Sequence, residues 1–455
     1  MGMFNLNQLK QLYTDSPLWT KKLYASIPFD IRNGREYRDW KKFLDNEIDV
    51  KEYELLKIKE SVLFAYKNTK YYSDLFKKLD INPHDIKSIQ DFQKIPFVDK
   101  DIIRENYNDF LVANIPENKK LTVTTGGTSG SPTGYIQSSN VWAKELAYYM
   151  HFFGKYNYSP MDLKASFRGG DFSNVPNDEY WFMNPVNNEF VFSPTNINSD
   201  TIEKYVNFLN KIKPKFFYGY PSSILFLLCN MQERNLNFNF CVDAVFLISE
   251  AFSKEDVNKI KDFFKCPVAS TYGHSERLVL AESTGDSIVD YKVNRRYGYF
   301  ELINENNSII ESNDKKGEIV GTEFDNYAMP ILRYKTGDFT SYEIFDEDII
   351  SFVDSPRKQI YQIEDYDNNK IATQSLIRPY EMLEYGIIRY QIVQTAPGKI
   401  KLHLLAEKTF NLTKQKELLN SIHSKAENRL QVEIIMTEKF IFSERGKFIP
   451  FIKEY

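Results

Sequence analysis

Residues 121–137 read LTVTTGGTSGSPTGYIQ, and the rest of the chain is organised around them. Leu121 and Val123, set among threonines, have the apolar and β-branched character of a strand end. Residues 126–134 can neither extend that strand nor open a helix, because they hold four glycines and one proline among small hydroxyl residues. Glycine admits positive φ and lets the backbone come close to a ligand. Successive N–H groups in such a turn form an anion-binding concavity, to which Ser and Thr hydroxyls add donors. A surface turn and a phosphate cradle both fit these residues. No Lys-Ser/Thr pair follows the last glycine, so this is not a Walker loop, and the glycine spacing differs from the dinucleotide fingerprint.

Outward from this stretch, Ser138 or Ser139 caps a predicted helix to about residue 156, with Val141, Ala143, Leu146, Ala147 and Met150 facing inward. The strand–loop–helix unit recurs. A strand at 164–167 runs into Arg168-Gly169-Gly170. A helix over 201–212 precedes a strand at 215–218, which ends at Gly219-Tyr220-Pro221-Ser222-Ser223 with a helix beyond. A short strand over 243–248 ends at Ser249-Glu250-Ala251, and a helix over 254–264 follows. The next strand, 268–271, ends at Tyr272-Gly273-His274-Ser275-Glu276. Strands that each end in polar or glycine-bearing loops predict an α/β sheet with its site at the carboxyl edge. Residues 1–120 read as mostly helical, for example over 53–69, and form a leader packed on the larger domain. Residues 291–342 read as short antiparallel strands. From about 356 onward short strands alternate with helices, one of them over 407–430, which marks a separate α+β unit of ordinary domain size.

At 455 residues the chain exceeds one ordinary core. A formal net charge of -4 gives no basis for nucleic-acid or membrane-surface binding. No apolar run approaches the ~20 residues of a membrane helix, and the first residues lack the apolar core of a secretory signal. The three cysteines, Cys229, Cys241 and Cys266, are scattered without a C-x-x-C pair. That points to a reducing, cytoplasmic setting and away from a zinc cluster. The five histidines are equally dispersed. Mg²⁺ held by carboxylate and phosphate oxygens stays open.

Two more stretches carry chemistry. Arg333-Tyr334-Lys335-Thr336-Gly337-Asp338 sets a carboxylate after a glycine, where it suits a ribose diol or merely closes a Thr-Gly-Asp hairpin. Ser443-Glu444-Arg445-Gly446-Lys447-Phe448 places one lysine in a tight turn, a position that solvated surface lysines also take. In order and spacing, these segments together resemble the adenylate-forming (acyl-CoA synthetase-like) superfamily. Within it the chain is similar to the phenylacetate–CoA ligase branch and its capsular-polysaccharide-biosynthesis relatives. The branch signature TGGTSGSPT matches residues 125–133, and AYKNTKYYSDLFKK…SIQDFQKIPFVDKDIIREN matches the branch's leader.

The resemblance implies an α/β protein. Its large multi-layer N-terminal domain has helices around β-sheets, and its small C-terminal α+β domain is mobile. The boundaries are a leader at 1–120, an ATP- and acid-binding core at 121–355 and the small domain at 356–455. It implies an AMP-forming ligase. ATP and a small carboxylic acid give an acyl-adenylate and pyrophosphate, and the acyl group passes to CoA or another thiol. The alternatives are transfer to an amine in surface-polysaccharide synthesis, or a degenerate nucleotide-binding protein. By the same resemblance Thr125, Gly126, Gly127, Thr128, Ser129, Gly130 and Thr133 cradle the β- and γ-phosphates. Tyr272 stacks on adenine beside Ser249-Glu250-Ala251, within the ATP-binding run Thr271-Tyr272-Gly273-His274-Ser275. Glu276 binds Mg²⁺, Asp338 the ribose, and Arg357 the ribose and phosphate at the junction. Lys447 bridges carboxylate and α-phosphate. The acid's pocket is lined by Phe167, Arg168, Gly169, Tyr218, Tyr220, Pro221 and Ser222, with His274 at its floor. Arg168 pairs there with an acidic substrate group, or else bonds backbone carbonyls. The sequence departs from the family pattern at the glycine loop, which lacks a lysine, at Pro356 and Gln359 around the junction arginine, and at Asp367-Asn368-Asn369, where Asn can adopt a left-handed turn. No hydrolase elbow of the form G-x-S-x-G occurs.

Overall fold

In a computed structural model the chain is described over residues 12–13, 16–124, 134–168, 170, 172, 175–176, 178–250, 252–285, 290–351, 353, 361–377, 382, 385–443 and 448–455. Contacts gather it into two compact units. The first comprises Met1–Met161, Pro185–Asn187 and Ala269–Pro356; the second comprises Asp162–Asn184, Asn188–Val268 and Arg357–Tyr455.

Helix α1 (Val50–Asn68) starts where the Asp49 carboxylate accepts the N–H groups of Lys51 and Glu52, an N-cap that satisfies otherwise unpaired donors. Strands β1 (Lys120–Thr124) and β2 (Gly134–Ser138) pair antiparallel from Lys120↔Ser138 to Thr124↔Gly134 and flank the glycine stretch. Helix α2 (Ser139–Gly154) follows directly. Next come β3 (Lys164–Phe167), β4 (Trp181–Asn184), β5 (Glu189–Phe192), α3 (Ile202–Ile212), β6 (Phe216–Gly219), α4 (Pro221–Glu233), β7 (Ala244–Leu247) and α5 (Lys254–Phe264). The chain continues through β8 (Val268–Gly273), β9 (Leu280–Ser283), β10 (Tyr291–Val293), β11 (Gly298–Ile303), β12 (Lys316–Glu323), β13 (Tyr334–Ile344) and β14 (Ile349–Ile350). The last portion holds β15 (Gln362–Glu364), β16 (Lys370–Ala372), β17 (Ile387–Ala396), β18 (Lys399–Ala406), α6 (Leu412–Lys425), β19 (Gln431–Met436) and β20 (Phe451–Lys453).

In the second unit the strand order is β7-β6-β3-β5-β4, parallel except for the β4 edge. The chain leaves β3 toward β5 and then returns, through α3, to β6 on the other side. β3 therefore stands at the point where strand order reverses, the place where open α/β sheets bind ligands beyond their carboxyl ends. Phe167 stacks between Phe192 and Phe217, at 4.8 and 5.6 Å, and fixes the middle of this sheet. The same unit contains a second sheet, β19-β18-β17-β20, whose core includes Ile392, Leu402, Leu418 and Ile422. The helix expected over 407–430 begins only at Leu412, because the Asn411 side chain captures the N–H groups of Thr413 and Lys414 and caps it there. Asn368 does take the left-handed turn, with φ of 61°.

In the first unit an antiparallel sheet runs β11-β12-β13-β14-β10-β9-β8. The N-terminal leader is stitched to the start of β13. Val98 pairs with Tyr334, the Tyr72 hydroxyl accepts the Leu332 N–H at 2.8 Å, and Arg333 reaches back to the Ile95 carbonyl at 2.6 Å while it pairs with Glu301. The leader thus buttresses the strand that carries Tyr334 and Asp338.

Candidate active site

The strand that leaves the glycine stretch is held by side chains on several sides. The Tyr135 hydroxyl lies 3.0 Å from that of Tyr334. Asn326 donates to the Ile136 carbonyl at 3.0 Å and accepts the Ser138 N–H at 3.1 Å. Gln137 donates to the Ser275 carbonyl and accepts from Arg277, both at 2.8 Å. Arg277 also pairs with Glu145 of α2 and lies 4.1 Å over the Trp142 ring. Tyr135 and Gln137 are two apart on a strand and therefore share a face. A buried polar group must find its partners, and here those partners tie β2 to the 272–277 turn and to β13.

That turn gathers the other predicted groups of the first unit. Tyr272 ends β8, and its hydroxyl donates to Asp338 at 2.9 Å. Thr336-Gly337-Asp338 lies inside β13, opposite an irregularity between Glu318 and Val320, rather than at a hairpin tip. Gly337 takes a φ of 71°, which permits the local bend. Glu276 is buried, and Tyr334 donates to its Oε1 at 3.3 Å. Burial, and then the Glu276 charge, push the Tyr334 phenol well above its ordinary value, so it stays a donor. His274 Nδ1 stands 3.4 Å from Glu276 Oε2, and among the described residues neither of its ring nitrogens has a hydrogen-bond partner.

The predicted residues of the second unit collect at the carboxyl ends of β3, β6 and β7. Tyr220 donates its N–H to the Phe167 carbonyl at 2.9 Å, and Gly219 lets the two strands come this close. A Cβ on Gly219 would stand 2.3 Å from the Phe167 oxygen. Pro221 opens α4 and Ser222 follows; the Ser222 N–H donates to Glu250 Oε2 at 3.2 Å. Ser249 adopts a positive φ of 62° just after β7. Arg168 pairs with Glu189 at 2.7 Å rather than with backbone carbonyls. Glu189 also accepts from Ser166 and Asn184, so the charge that Arg168 brings is balanced by a carboxylate of the protein itself. Tyr218 lies in register with Ser166 on the neighbouring strand.

Thr125, Gly126, Gly127, Thr128, Ser129, Gly130, Thr133, Gly169, Ala251, Arg357 and Lys447 lie outside the described residues. Thr271, Tyr272 and Gly273 close β8, and Ser275 follows in the turn. Tyr135, Gln137, Asn326 and Tyr334 escaped the sequence reading. Tyr135 and Gln137, which close the 121–137 stretch, and Tyr334, within the aspartate motif, lay beside a motif, whereas Asn326 did not.

Comparisons with known proteins bear on the fold and on likeness in sequence. The family profile described as the CapK C-terminal domain matches residues 363–454. Protein CapK of Staphylococcus aureus is 24% identical over 341 residues, 74% of this chain and 73% of that protein. The phenylacetate-coenzyme A ligase of Aromatoleum evansii is 24% identical over 302 residues, 63% of this chain and 65% of the relative. Among solved structures, a 2-hydroxyisobutyryl-CoA ligase in the postadenylation state, in complex with R3-HIB-AMP, superposes with a TM-score of 0.63 at 16% identity, over 88% of this chain and 89% of that one. Among the described residues no helix is long and apolar enough to cross a membrane. Residues 363–454 thus match the CapK C-terminal domain, the chain is similar in sequence to CapK and to phenylacetate-coenzyme A ligases, and its mixed α/β fold is that of a solved acyl-CoA ligase.

Proposed function

We propose that this AMP-forming acid ligase couples a small carboxylic acid to ATP and hands the acyl group to a thiol, with CoA as the acceptor. The observation that carries the reading is the grouping of Tyr272, Asp338 and Glu276 on elements hydrogen-bonded to the strand leaving the glycine stretch. In the first step a carboxylate oxygen attacks the α-phosphorus, the bond to pyrophosphate breaks, and pyrophosphate departs. Two anions must be held against each other, and fixed donors aimed at the developing charge lower that barrier. In this reading residues 125–133 hold the β- and γ-phosphates through backbone N–H groups and hydroxyls, Asp338 takes the ribose and Tyr272 the adenine. Arg357 meets ribose and phosphate, and Lys447 stands between carboxylate and α-phosphate.

Among the described residues no three His, Cys, Asp or Glu side chains could enclose a metal ion. A single buried carboxylate, Glu276, does fit Mg²⁺, which binds through one or two carboxylates with nucleotide phosphates completing its shell. Bound there, the ion would neutralise phosphate charge, while Tyr334 keeps the Glu276 carboxylate oriented.

Acid-dependent exchange of labelled pyrophosphate into ATP tests adenylation alone. Exchange with at least one acid is expected, and Lys447→Ala should abolish it while ATP binding survives. No exchange with any acid despite ATP binding would favour a degenerate nucleotide-binding protein. Pro356 ahead of Arg357 and Gln359 beyond it alter the junction on which the second step depends, and for that reason an amine acceptor is the second reading. Adding CoA or amines to the adenylating enzyme separates the two.

A further inference from the structure

We infer that Gln391 and Arg389, two residues apart on β17, are positioning residues for Lys447. Gln391 ties together the two arms, at Ile441 and Ile449, that flank the lysine in the sequence, and Arg389 seats those arms on the first turns of α4. The inference rests on the role given to Lys447 above.

Gln391 is fully buried. Its amide nitrogen donates to the carbonyls of Ile441 and Ile449, at 2.8 and 2.6 Å, and its amide oxygen accepts the Ile441 N–H at 3.1 Å. Ile441 and Ile449 belong to opposite arms of one hairpin, which the Phe442↔Phe448 bridge closes just inside them. A primary amide offers two donors and an acceptor, and here all three are used on the two arms. One side chain therefore sets the spacing of the two arms at Ile441 and Ile449, which flank Lys447 in the sequence. Leucine at this position would remove the partner of two carbonyls and one N–H.

Arg389 does the second part. It is buried, with its guanidinium 3.9 Å from the centre of the Phe226 ring on α4. Phe448 lies at 4.9 Å and Phe440 at 5.7 Å from the same guanidinium. Phe226 also meets Phe440 edge-on at 6.3 Å. The guanidinium donates to the Ser222 carbonyl. The guanidinium therefore joins helix α4, at Ser222 and Phe226, to the aromatic residues Phe440 and Phe448. Packing alone did not require a cation here, since replacing a buried charge by an apolar group of similar volume is often neutral or stabilising. What the arginine adds is direction: a planar donor fork addresses one carbonyl on the helix while aromatic faces grip its plane. Phe448 is the residue next to Lys447 in the sequence, so this contact restrains the chain immediately beyond the lysine. Displacing a reacting group by about 1 Å can cost 100-fold in rate.

The test compares wild type, Arg389→Met, Arg389→Lys, Gln391→Leu and Lys447→Ala in the full chain. Hydrogen–deuterium exchange reads the seat directly. In Arg389→Met the amides of 441–449 and of the first turn of α4 should exchange at least ~10-fold faster, with β18 and β19 unchanged. Pyrophosphate exchange reads the consequence. Turnover should fall about 100-fold in Arg389→Met, with ATP affinity unchanged and partial recovery in Arg389→Lys. Arg389→Met should add nothing in the Lys447→Ala background, because residues acting through one group are not additive. Gln391→Leu should loosen 441–449 without loosening α4. Unchanged amide exchange over 441–449 in Arg389→Met overturns the inference whatever the acid. So does unchanged turnover, or a loosening that spreads through β18 and β19. Wild type silent with every acid strikes instead at the ligase reading, and the amide exchange still judges the seat.

Discussion

Tyr334 places one phenol between two partners, Tyr135 at 3.0 Å and Glu276 at 3.3 Å. Its hydroxyl is the only part that differs from phenylalanine, so Tyr334→Phe isolates the hydrogen bonds while leaving the ring, which meets Tyr135 edge-on, in place. Losing a buried hydroxyl that serves two partners costs on the order of 1–3 kcal/mol. A second effect separates a functional role from a structural one. If Glu276 is the metal carboxylate, Tyr334 orients it, and losing such a supporting partner typically weakens metal affinity about 10–100-fold. Tyr334→Phe should therefore raise the Mg²⁺ concentration needed for half-maximal pyrophosphate exchange by that factor. Calorimetric titration of Mg²⁺ into the ATP complex should show the same shift, while ATP binding without metal is unchanged. An unaltered Mg²⁺ requirement would reduce Tyr334 to a packing residue.

The elements that bring these side chains together were legible from the chain to different degrees. β3 and α5 lie where strand and helix patterning put them, because buried parallel strands are short apolar runs and a Ser253–Asp256 capping box marks the helix start. The end of β6 was visible as Gly219, but the reason for a glycine was not. Register with β3 forces the Gly219 α-carbon against the Phe167 carbonyl, a contact between residues 52 positions apart that no local pattern encodes. Gly219→Ala therefore tests whether this contact is as tight as it stands, since its Cβ would lie 2.3 Å from that oxygen and 2.8 Å from the carbonyl carbon. Both are backbone atoms of a central strand and cannot step aside. Overpacking of this kind costs typically 1–3 kcal/mol. The strand should shift and weaken the bond from the Ile248 N–H to the Gly219 carbonyl, now 3.0 Å. A lowered melting temperature is expected, together with faster amide exchange at Ile248. An alanine variant as stable as wild type would mean that the two strands stand farther apart.

At the scale of the molecule, the sequence conveys strand ends and motifs well and long-range polar pairing poorly. Arg389 meets Ser222 across 167 positions, Lys144 meets Asp325 across 181, and neither pair has a periodicity to betray it. The charges packed into the first unit have a consequence for the whole fold. Lys144 and Lys57 both converge on Asp325, at 2.6 and 2.8 Å. Against the opposing pull of burial, they hold that carboxyl below its ordinary value. Glu323, two residues earlier, meets burial with less compensation from Lys144 and is pushed up to about 8. In the unfolded chain a glutamate loses its proton near pH ~4.3. Between that value and about 8 the folded state binds the extra proton, so raising the pH favours unfolding. For one fully titrating group the slope reaches about 1.4 kcal/mol per pH unit. Glu323→Gln keeps the shape and removes the titration. The melting temperature of the variant relative to wild type should therefore rise steadily from pH 5 to pH 8 and level off above. Parallel curves across that range would mean that Glu323 is ionised in the folded protein, with a cation that compensates it as fully as Lys144 and Lys57 compensate Asp325.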